Sequence, residues 1–249
     1  MLIGGANLNI FWEDPEENLQ SVAGCFEEAV ALGVDLLVFP EMTLSGFSLE
    51  TSRTYLNDAL HRVREMVERF AVSTVFGYVE REDGVFYNSA SFISPGDKVA
   101  TYRKRKLFSY GGEEKSYSPG NSPLRFSFQE LSASLNICYD LRFPELFRDN
   151  IPVELMIVIA NWPSRRSFHW EALLRARAIE NQCYVLGLNR TGEDGNGIEY
   201  GESKSMLVDY DGAEIDHTCG SSIHIWEIDT IMLDRLRKWR QMFTAIRDI

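Results

Sequence analysis

Three stretches of this sequence combine residue types able to do acid–base or nucleophilic chemistry with a position at the end of an apolar run. In the first, Glu41 closes Val34-Asp-Leu-Leu-Val-Phe-Pro-Glu41. A carboxylate ending a buried strand is partly desolvated, which raises its pKa and suits it as a base near neutral pH. The bland alternative is a strand-end Glu that simply reaches water. In the second, Tyr102-Arg-Lys-Arg-Lys106 concentrates four positive charges in an acidic protein. Strand alternation would set Lys104 and Lys106 on one face and Arg103 and Arg105 on the other. An edge strand blunted by charge would look the same. In the third, Asn136-Ile-Cys-Tyr-Asp-Leu-Arg-Phe-Pro-Glu145 places a thiol at the end of an alternating strand. There Ala133, Leu135 and Ile137 share one face, and Ser134, Asn136 and Cys138 the other. A free thiol has a pKa of ~8.5 and becomes a useful nucleophile only beside a base or cation. Cysteine is commonly core material, but Asp140, Arg142 and Glu145 are companions that a core position would not need.

The four cysteines (Cys25, Cys138, Cys183 and Cys219) have no CxxC spacing, so neither a zinc site nor a disulfide framework is expected. A Cys-His nucleophile would need His61, His169, His217 or His224 near Cys138 in space.

The elements that must position these residues follow from periodicity. Residues 2–10 suggest a strand. A helix then starts with Asp14 as N-cap, Pro15 at N1 and Glu17 at N3, and Gly33 stops it. A buried strand is expected over 34–41, a helix carrying Leu56, Leu60, Val63, Val67 and Phe70, and a strand over 72–80. Asp83-Gly84 marks a hairpin into 85–94, Ser94-Pro-Gly-Asp97 turns again, and 98–105 forms a further strand. Residues 108–123 read as a loop, 132–138 and 153–160 as strands, and 168–182 as a helix. Strands near 183–189, 203–210 and 213–217 follow, with turns at Asp194-Gly-Asn-Gly197 and Asp211-Gly212, then a helix over 230–240. This βαβαβ start with later hairpins indicates an α/β protein with sheets covered by helices. No GxGxxG or P-loop follows a strand, so no nucleotide phosphate site is signalled.

With 249 residues, 45% hydrophobic, and no linker or repeat, the chain reads as one domain over 1–249. A net charge of -12 argues against a nucleic-acid partner. The local basic run, Arg235 to Arg240, suits the C-terminal part of a helix. No apolar run is long enough to cross a membrane and the start lacks the pattern of a signal peptide, so a cytoplasmic location is expected.

Taken together, Phe39-Pro-Glu41, the Tyr-x-Lys-x-x-Leu-Phe stretch at 102–108, and Cys138-Tyr-Asp-Leu-Arg-Phe-Pro-Glu145 resemble the signatures of the carbon–nitrogen hydrolase (nitrilase) superfamily. The resemblance continues in Ala160-Asn-Trp-Pro163, His169-Trp170, Arg175-Ala-Arg-Ala-Ile-Glu-Asn-Gln182 and Asn189-Arg-x-Gly192, and is greatest with the omega-amidase branch. It implies a four-layer α-β-β-α sandwich, a homodimer with the segment 229–249 at the contact, and a Glu-Lys-Cys triad using no cofactor or metal. Carried over by position, Glu41 is the general base, Lys104 the catalytic lysine, Cys138 the nucleophile and Glu113 a second glutamate near the site, with Glu114 one residue off register. Lys106 departs from the pattern, standing where the branch usually has His. The implied reaction is hydrolysis, by water, of the terminal amide of a small acid such as 2-oxoglutaramate or 2-oxosuccinamate. Lys104 and the Tyr139 N–H would hold the oxyanion, and Trp162 and Arg142 are candidate substrate contacts, with Arg165 and Arg166 as further carboxylate partners. A nitrilase, an N-carbamoyl hydrolase, another aliphatic amidase, or a non-catalytic binding module are the competing readings.

Overall fold

The computed structural model of the chain describes residues 1–96 and 98–243. Its strands are β1 (Leu2–Ala6), β2 (Leu36–Val38), β3 (Ser73–Glu82), β4 (Val85–Ser94), β5 (Lys98–Arg103), β6 (Arg125–Phe128), β7 (Leu131–Ile137), β8 (Leu155–Ala160), β9 (Tyr184–Asn189), β10 (Met206–Val208), β11 (Glu214–Ile215), β12 (Thr218–Cys219) and β13 (Ile223–Glu227). The α-helices are α1 (Pro15–Ala31), α2 (Thr51–Thr54), α3 (Ala59–Phe70), α4 (Pro144–Arg148), α5 (Ser167–Asn181) and α6 (Thr230–Met242).

The cap at Asp14 forms as its sequence predicts: the side chain accepts from the Glu17 N–H at 3.2 Å, and Pro15 starts α1. The apolar run after it becomes β2, only three residues long, buried on both faces because a helix layer covers one side and a second sheet the other. Leu36 and Val38 enter the core between the sheets, while Leu37 joins Phe26 and Val63 beneath α1 and α3.

One sheet has the order β12-β13-β1-β2-β3-β4-β5 and the other β11-β10-β9-β8-β7-β6. Their inner faces meet through Val75, Phe92, Leu135, Ile157, Leu186 and Trp226. Helices α1 and α3 cover the outer face of the first sheet, and α4 and α5 cover that of the second. This is the α-β-β-α sandwich, with β1, β2 and β3 parallel in one sheet and β7, β8 and β9 parallel in the other. Both sheets therefore have buried strands whose carboxyl ends can carry polar groups.

Some expectations require correction. Strand β5 ends at Arg103, two residues early, so Lys104 and Lys106 do not share a face. Lys104 turns inward and is buried, whereas the half-exposed Lys106 lies 3.7 Å from Glu145. The helix expected to carry Leu56 to Phe70 starts later, as α3 at Ala59; Leu56 lies between it and the separate short α2. Strands β6, β12 and β13 were not anticipated; β13 returns from near the end of the chain to pair antiparallel with β1. The basic run on α6 docks that helix rather than facing a ligand: Arg237 reaches Glu154 at 2.7 Å, and Arg240 donates to the Gln182 carbonyl at 2.7 Å. Asp97 of the expected turn and residues 244–249 of the expected dimer segment lie outside the described residues.

Candidate active site

Glu41 lies three residues past the end of β2, and β3 runs close behind it. The backbone approach is tight enough that a Cβ on Gly77 would collide with the Pro40 carbonyl and the Glu41 Cα, so this position requires glycine. The buried Glu41 carboxylate accepts from Lys104 Nζ at 2.9 Å and Asn88 Nδ2 at 2.8 Å through Oε1, and from the Asn161 N–H at 2.8 Å through Oε2. Burial pushes its pKa up, but the Lys104 charge and these hydrogen bonds more than offset that, holding it below the ordinary carboxylate value. The expectation of a raised pKa is thus overturned: it counted desolvation and omitted the cation.

Lys104 sits one residue past β5, where its N–H still donates to the Asn88 carbonyl at 2.8 Å. Its ammonium also meets Glu113 Oε1 at 3.0 Å and Oε2 at 2.9 Å. Burial disfavours the charged lysine, yet Glu113 and Glu41 together raise its pKa, so it stays protonated. Glu113 is buried in a 3₁₀ turn and also accepts from the Phe108 N–H at 2.6 Å; Glu114 is exposed. Asn88 bridges the two carboxylates, reaching Glu113 Oε1 at 2.8 Å.

Cys138 is the first residue after β7 and has φ +48°, in the left-handed region that a side chain with a Cβ enters at a cost of about 1–3 kcal/mol. Such a strand-to-helix corner points a nucleophile out of the sheet. The thiol donates to the Asn161 carbonyl at 3.9 Å, and burial together with the nearby Glu41 carboxylate pushes its pKa well up. These directions set a neutral thiol beside an ionised carboxylate. The corner is held by Asp140, which accepts from Ile137 N–H at 2.9 Å, Tyr102 OH at 2.9 Å and Lys106 N–H at 2.8 Å.

Burial raises the Asp140 pKa to about 6, against the lowering effect of these donors and Lys104. A raised carboxylate pKa means that the folded state binds more protons than the unfolded state from about pH 4 to about pH 6, so its contribution to stability is lost as pH rises through that window. Asp140→Asn removes this titration. The stability of the parent relative to the variant should fall by roughly 1–3 kcal/mol from pH 4 to pH 7, read from urea midpoints. A gap that stays flat with pH would show that Asp140 is ionised throughout.

Cys138, Tyr139, Lys104 and Asn161 line a cavity of about 530 Å³, with Arg142, Trp162, Arg165 and Arg166 also on its wall. Trp162 is buried, donates from its indole N–H to the Arg166 carbonyl at 2.9 Å, and packs on Trp170, so it serves core and cavity together. Arg142 lies over the Trp162 ring at 4.8 Å, and its guanidinium is 3.2 Å from His169 Nδ1. Burial and the nearby Arg166 charge lower the Arg142 pKa.

The structure thus brings Glu41, Lys104, Glu113 and Cys138 together, with Tyr139, Arg142 and Trp162 on the same cavity. Sequence reasoning missed Asn88 and Asn161. Asn161 had a signal, being a polar residue at the carboxyl end of buried β8; Asn88, inside β4, had none. The histidines have other partners: His61 faces Glu65, His169 meets Arg142, and His217 stacks on His224. Sequence reasoning also missed that His217, Cys219 and His224 converge at the β12–β13 edge. The signal was strand alternation, His217-x-Cys219, with a turn returning His224 opposite the thiol.

The family profile for carbon-nitrogen hydrolase matches residues 2–241. The omega-amidase YafV of Escherichia coli (strain K12) is 34% identical over 242 residues, covering 96% of this chain and 93% of that protein. The 2-oxoglutaramate amidase of Bacillus subtilis (strain 168) is 32% identical over 209 residues, covering 81% of this chain and 80% of the relative. Among solved structures, XC1258 of Xanthomonas campestris, a CN-hydrolase superfamily protein with an arsenic adduct in its active site, superposes with a TM-score of 0.89 at 28% identity, covering 100% of this chain and 97% of that one.

Proposed function

Given that this chain belongs to the carbon–nitrogen hydrolase family, we propose that it hydrolyses the terminal amide of a small carboxylic acid amide, of the 2-oxoglutaramate or 2-oxosuccinamate kind, through a thioester on Cys138. The observation that carries this reading is the buried Glu41–Lys104–Glu113 ion cluster set against a neutral thiol at the cavity wall. Residues 1–249 act as one domain in this reading, supported by the core that the two sheets share.

The chemistry follows from the protonation states. Glu41 takes the thiol proton as sulfur attacks the amide carbon. The developing oxyanion faces Lys104 Nζ and the Tyr139 N–H, donors that need not reorganise as charge appears. The C–N bond then breaks, Glu41 returns its proton to the departing nitrogen, and ammonia leaves. Water, deprotonated by Glu41 beside Glu113, attacks the thioester; the C–S bond breaks, the acid is released and the thiol is reprotonated.

Arg142, flanked by Arg166, is the proposed partner for the far carboxylate of the substrate. A charged hydrogen bond is worth roughly 1.5–3 kcal/mol, so Arg142→Ala should raise KM for an amide bearing that carboxylate by about 10- to 100-fold. For a short uncharged amide it should change KM little. The measurement is ammonia release from amides including 2-oxoglutaramate, alongside nitriles and N-carbamoyl compounds. Preferred turnover of a nitrile or carbamoyl compound would replace the amidase reading, and a KM effect equal for charged and uncharged amides would remove Arg142 from the carboxylate site.

A homodimer and a cytoplasmic location belong to the same reading. Exposed Phe168 and Ile179 on α5 and Ile231 and Met242 on α6 offer apolar surface for pairing, which sedimentation tests directly. The four free cysteines suit a reducing compartment. Among the described residues, no helix is long and apolar enough to cross a membrane.

A further inference from the structure

At the outer edge of the seven-stranded sheet, β12 and β13 form a small hairpin whose register sets Cys219 directly opposite His224. Side chains two apart on a strand share a face, so His217, just before β12, joins them on that side. Their donor atoms all lie within 4.8 Å of one another. The two imidazoles stack with centroids 4.6 Å apart and planes at 12°, and Trp226 backs His217 at 5.4 Å. Stacked rings bring two imidazoles side by side, and His224 Nδ1 is buried with no hydrogen-bond partner among the described residues. The turn between the strands is held independently. Gly220 N–H donates to the Ile223 carbonyl at 2.8 Å, and Ser222 N–H donates to Glu28 Oε2 at 2.9 Å. The frame is thus set by the backbone, not by the three side chains.

We propose that His217, Cys219 and His224 form a binding site for a divalent, borderline-soft d-block ion of the Zn²⁺ class, bound through two imidazoles and one thiolate with a fourth position left to water. The donor set is the one such ions select, since hard ions such as Mg²⁺ or Ca²⁺ prefer oxygen. Bonds of ~2.0–2.3 Å in a tetrahedron place donors roughly 3.3–3.7 Å apart, so donors that lie within 4.8 Å of one another need draw in by no more than about 1.5 Å on binding. Binding releases the Cys219 proton, and the ion then bonds to residues on both strands of the hairpin. The site is separate from the cavity that contains Cys138, whose lining includes none of the three ligands. Its effect is to pin the two-residue edge strand β12 to β13, and through β13 to β1.

The test uses the full chain carrying Cys138→Ala, which removes the other reachable thiol at the cavity. Titration with Co²⁺ is expected to give a saturable one-to-one thiolate-to-metal charge-transfer band, and Zn²⁺ should displace it. Adding Cys219→Ser should abolish the band and weaken Zn²⁺ binding by more than the roughly 10- to 100-fold that loss of an outer-shell partner costs. His224→Ala should weaken it comparably. Zn²⁺ should also raise the thermal midpoint of the Cys138→Ala protein but not of the Cys138→Ala/Cys219→Ser protein. The metal-free midpoints of the two proteins should agree, since Cys219 is exposed. The absence of a saturable band, or a band that survives Cys219→Ser, overturns the proposal.

Discussion

Cys138→Ala is expected to leave a folded protein that releases no measurable ammonia from any amide the parent hydrolyses. The fold survives because the side chain is only half-buried and the corner it occupies is held by Asp140, through Ile137, Tyr102 and Lys106. Turnover does not survive because neither charged neighbour of the thiol can form the bond to carbon in its place. Glu41 is an ionised carboxylate committed to Lys104, Asn88 and Asn161, and Lys104 is held as a cation. Loss of a covalent nucleophile commonly costs on the order of 10⁴- to 10⁶-fold in kcat. Cys138→Ser should be nearly as inactive, since its hydroxyl loses its proton less readily than the thiol. Two measurements check this: steady-state ammonia release, and the mass of parent protein quenched during turnover, which should show an acyl adduct on the Cys138 peptide. Activity of Cys138→Ala within about tenfold of the parent, a loss far smaller than removal of a nucleophile brings, would place the attacking group elsewhere.

Lys104→Ala is expected to damage both stability and activity, while Lys106→Ala changes neither appreciably. Lys104 is the cation between two buried carboxylates, at 2.9 Å from each. Removing one partner of a buried ion pair typically costs about 3–5 kcal/mol, because it leaves an uncompensated charge in a medium that solvates it poorly. Lys106 meets Glu145 at 3.7 Å on the surface, where such a pair is worth roughly 0–1 kcal/mol. The pH dependence gives a second, independent sign. In the parent, the lowered pKa of Glu41 contributes stability that is present above the ordinary carboxylate pKa and is lost as pH falls through its folded value. Without Lys104, burial dominates and Glu41 takes up a proton more readily. The stability gap between parent and variant should therefore shrink as pH is lowered from 7 toward 4. Denaturant midpoints across that range read the gap, and Lys104→Met, which keeps the apolar stem, serves if the alanine variant does not fold. A larger activity loss for Lys106→Ala than for Lys104→Ala would transfer the catalytic assignment to Lys106.

Much of this site is legible in the sequence. Glu41 and Cys138 each close an apolar run, and a polar residue at the carboxyl end of a buried strand is a local pattern that needs no partner to be recognised. The choice of Glu113 over Glu114 and of Lys104 over Lys106 rested on the resemblance, and each chosen side chain lies buried in the cluster around Glu41. Strand alternation alone would have paired Lys104 with Lys106. Helix α1 was equally readable, because its cap is set by residues at 14, 15 and 17.

What the sequence determined by itself is therefore local: the caps, the turns, the apolar runs and the order of the groups at their ends. Tertiary structure decided which of those groups meet and in what protonation state. Glu41 and Asn161 are 120 residues apart, and Glu41 and Lys104 are 63 apart. Burial read from sequence gave Glu41 a raised pKa; the cation brought to it by the fold reversed the sign. Strand β13 likewise became a strand by pairing with β1 from the far end of the chain, and that pairing placed His224 opposite Cys219. The physical reason is the same in each case. A short pattern reports how a residue sits on its own element, but an electrostatic environment is the sum over every element packed against it.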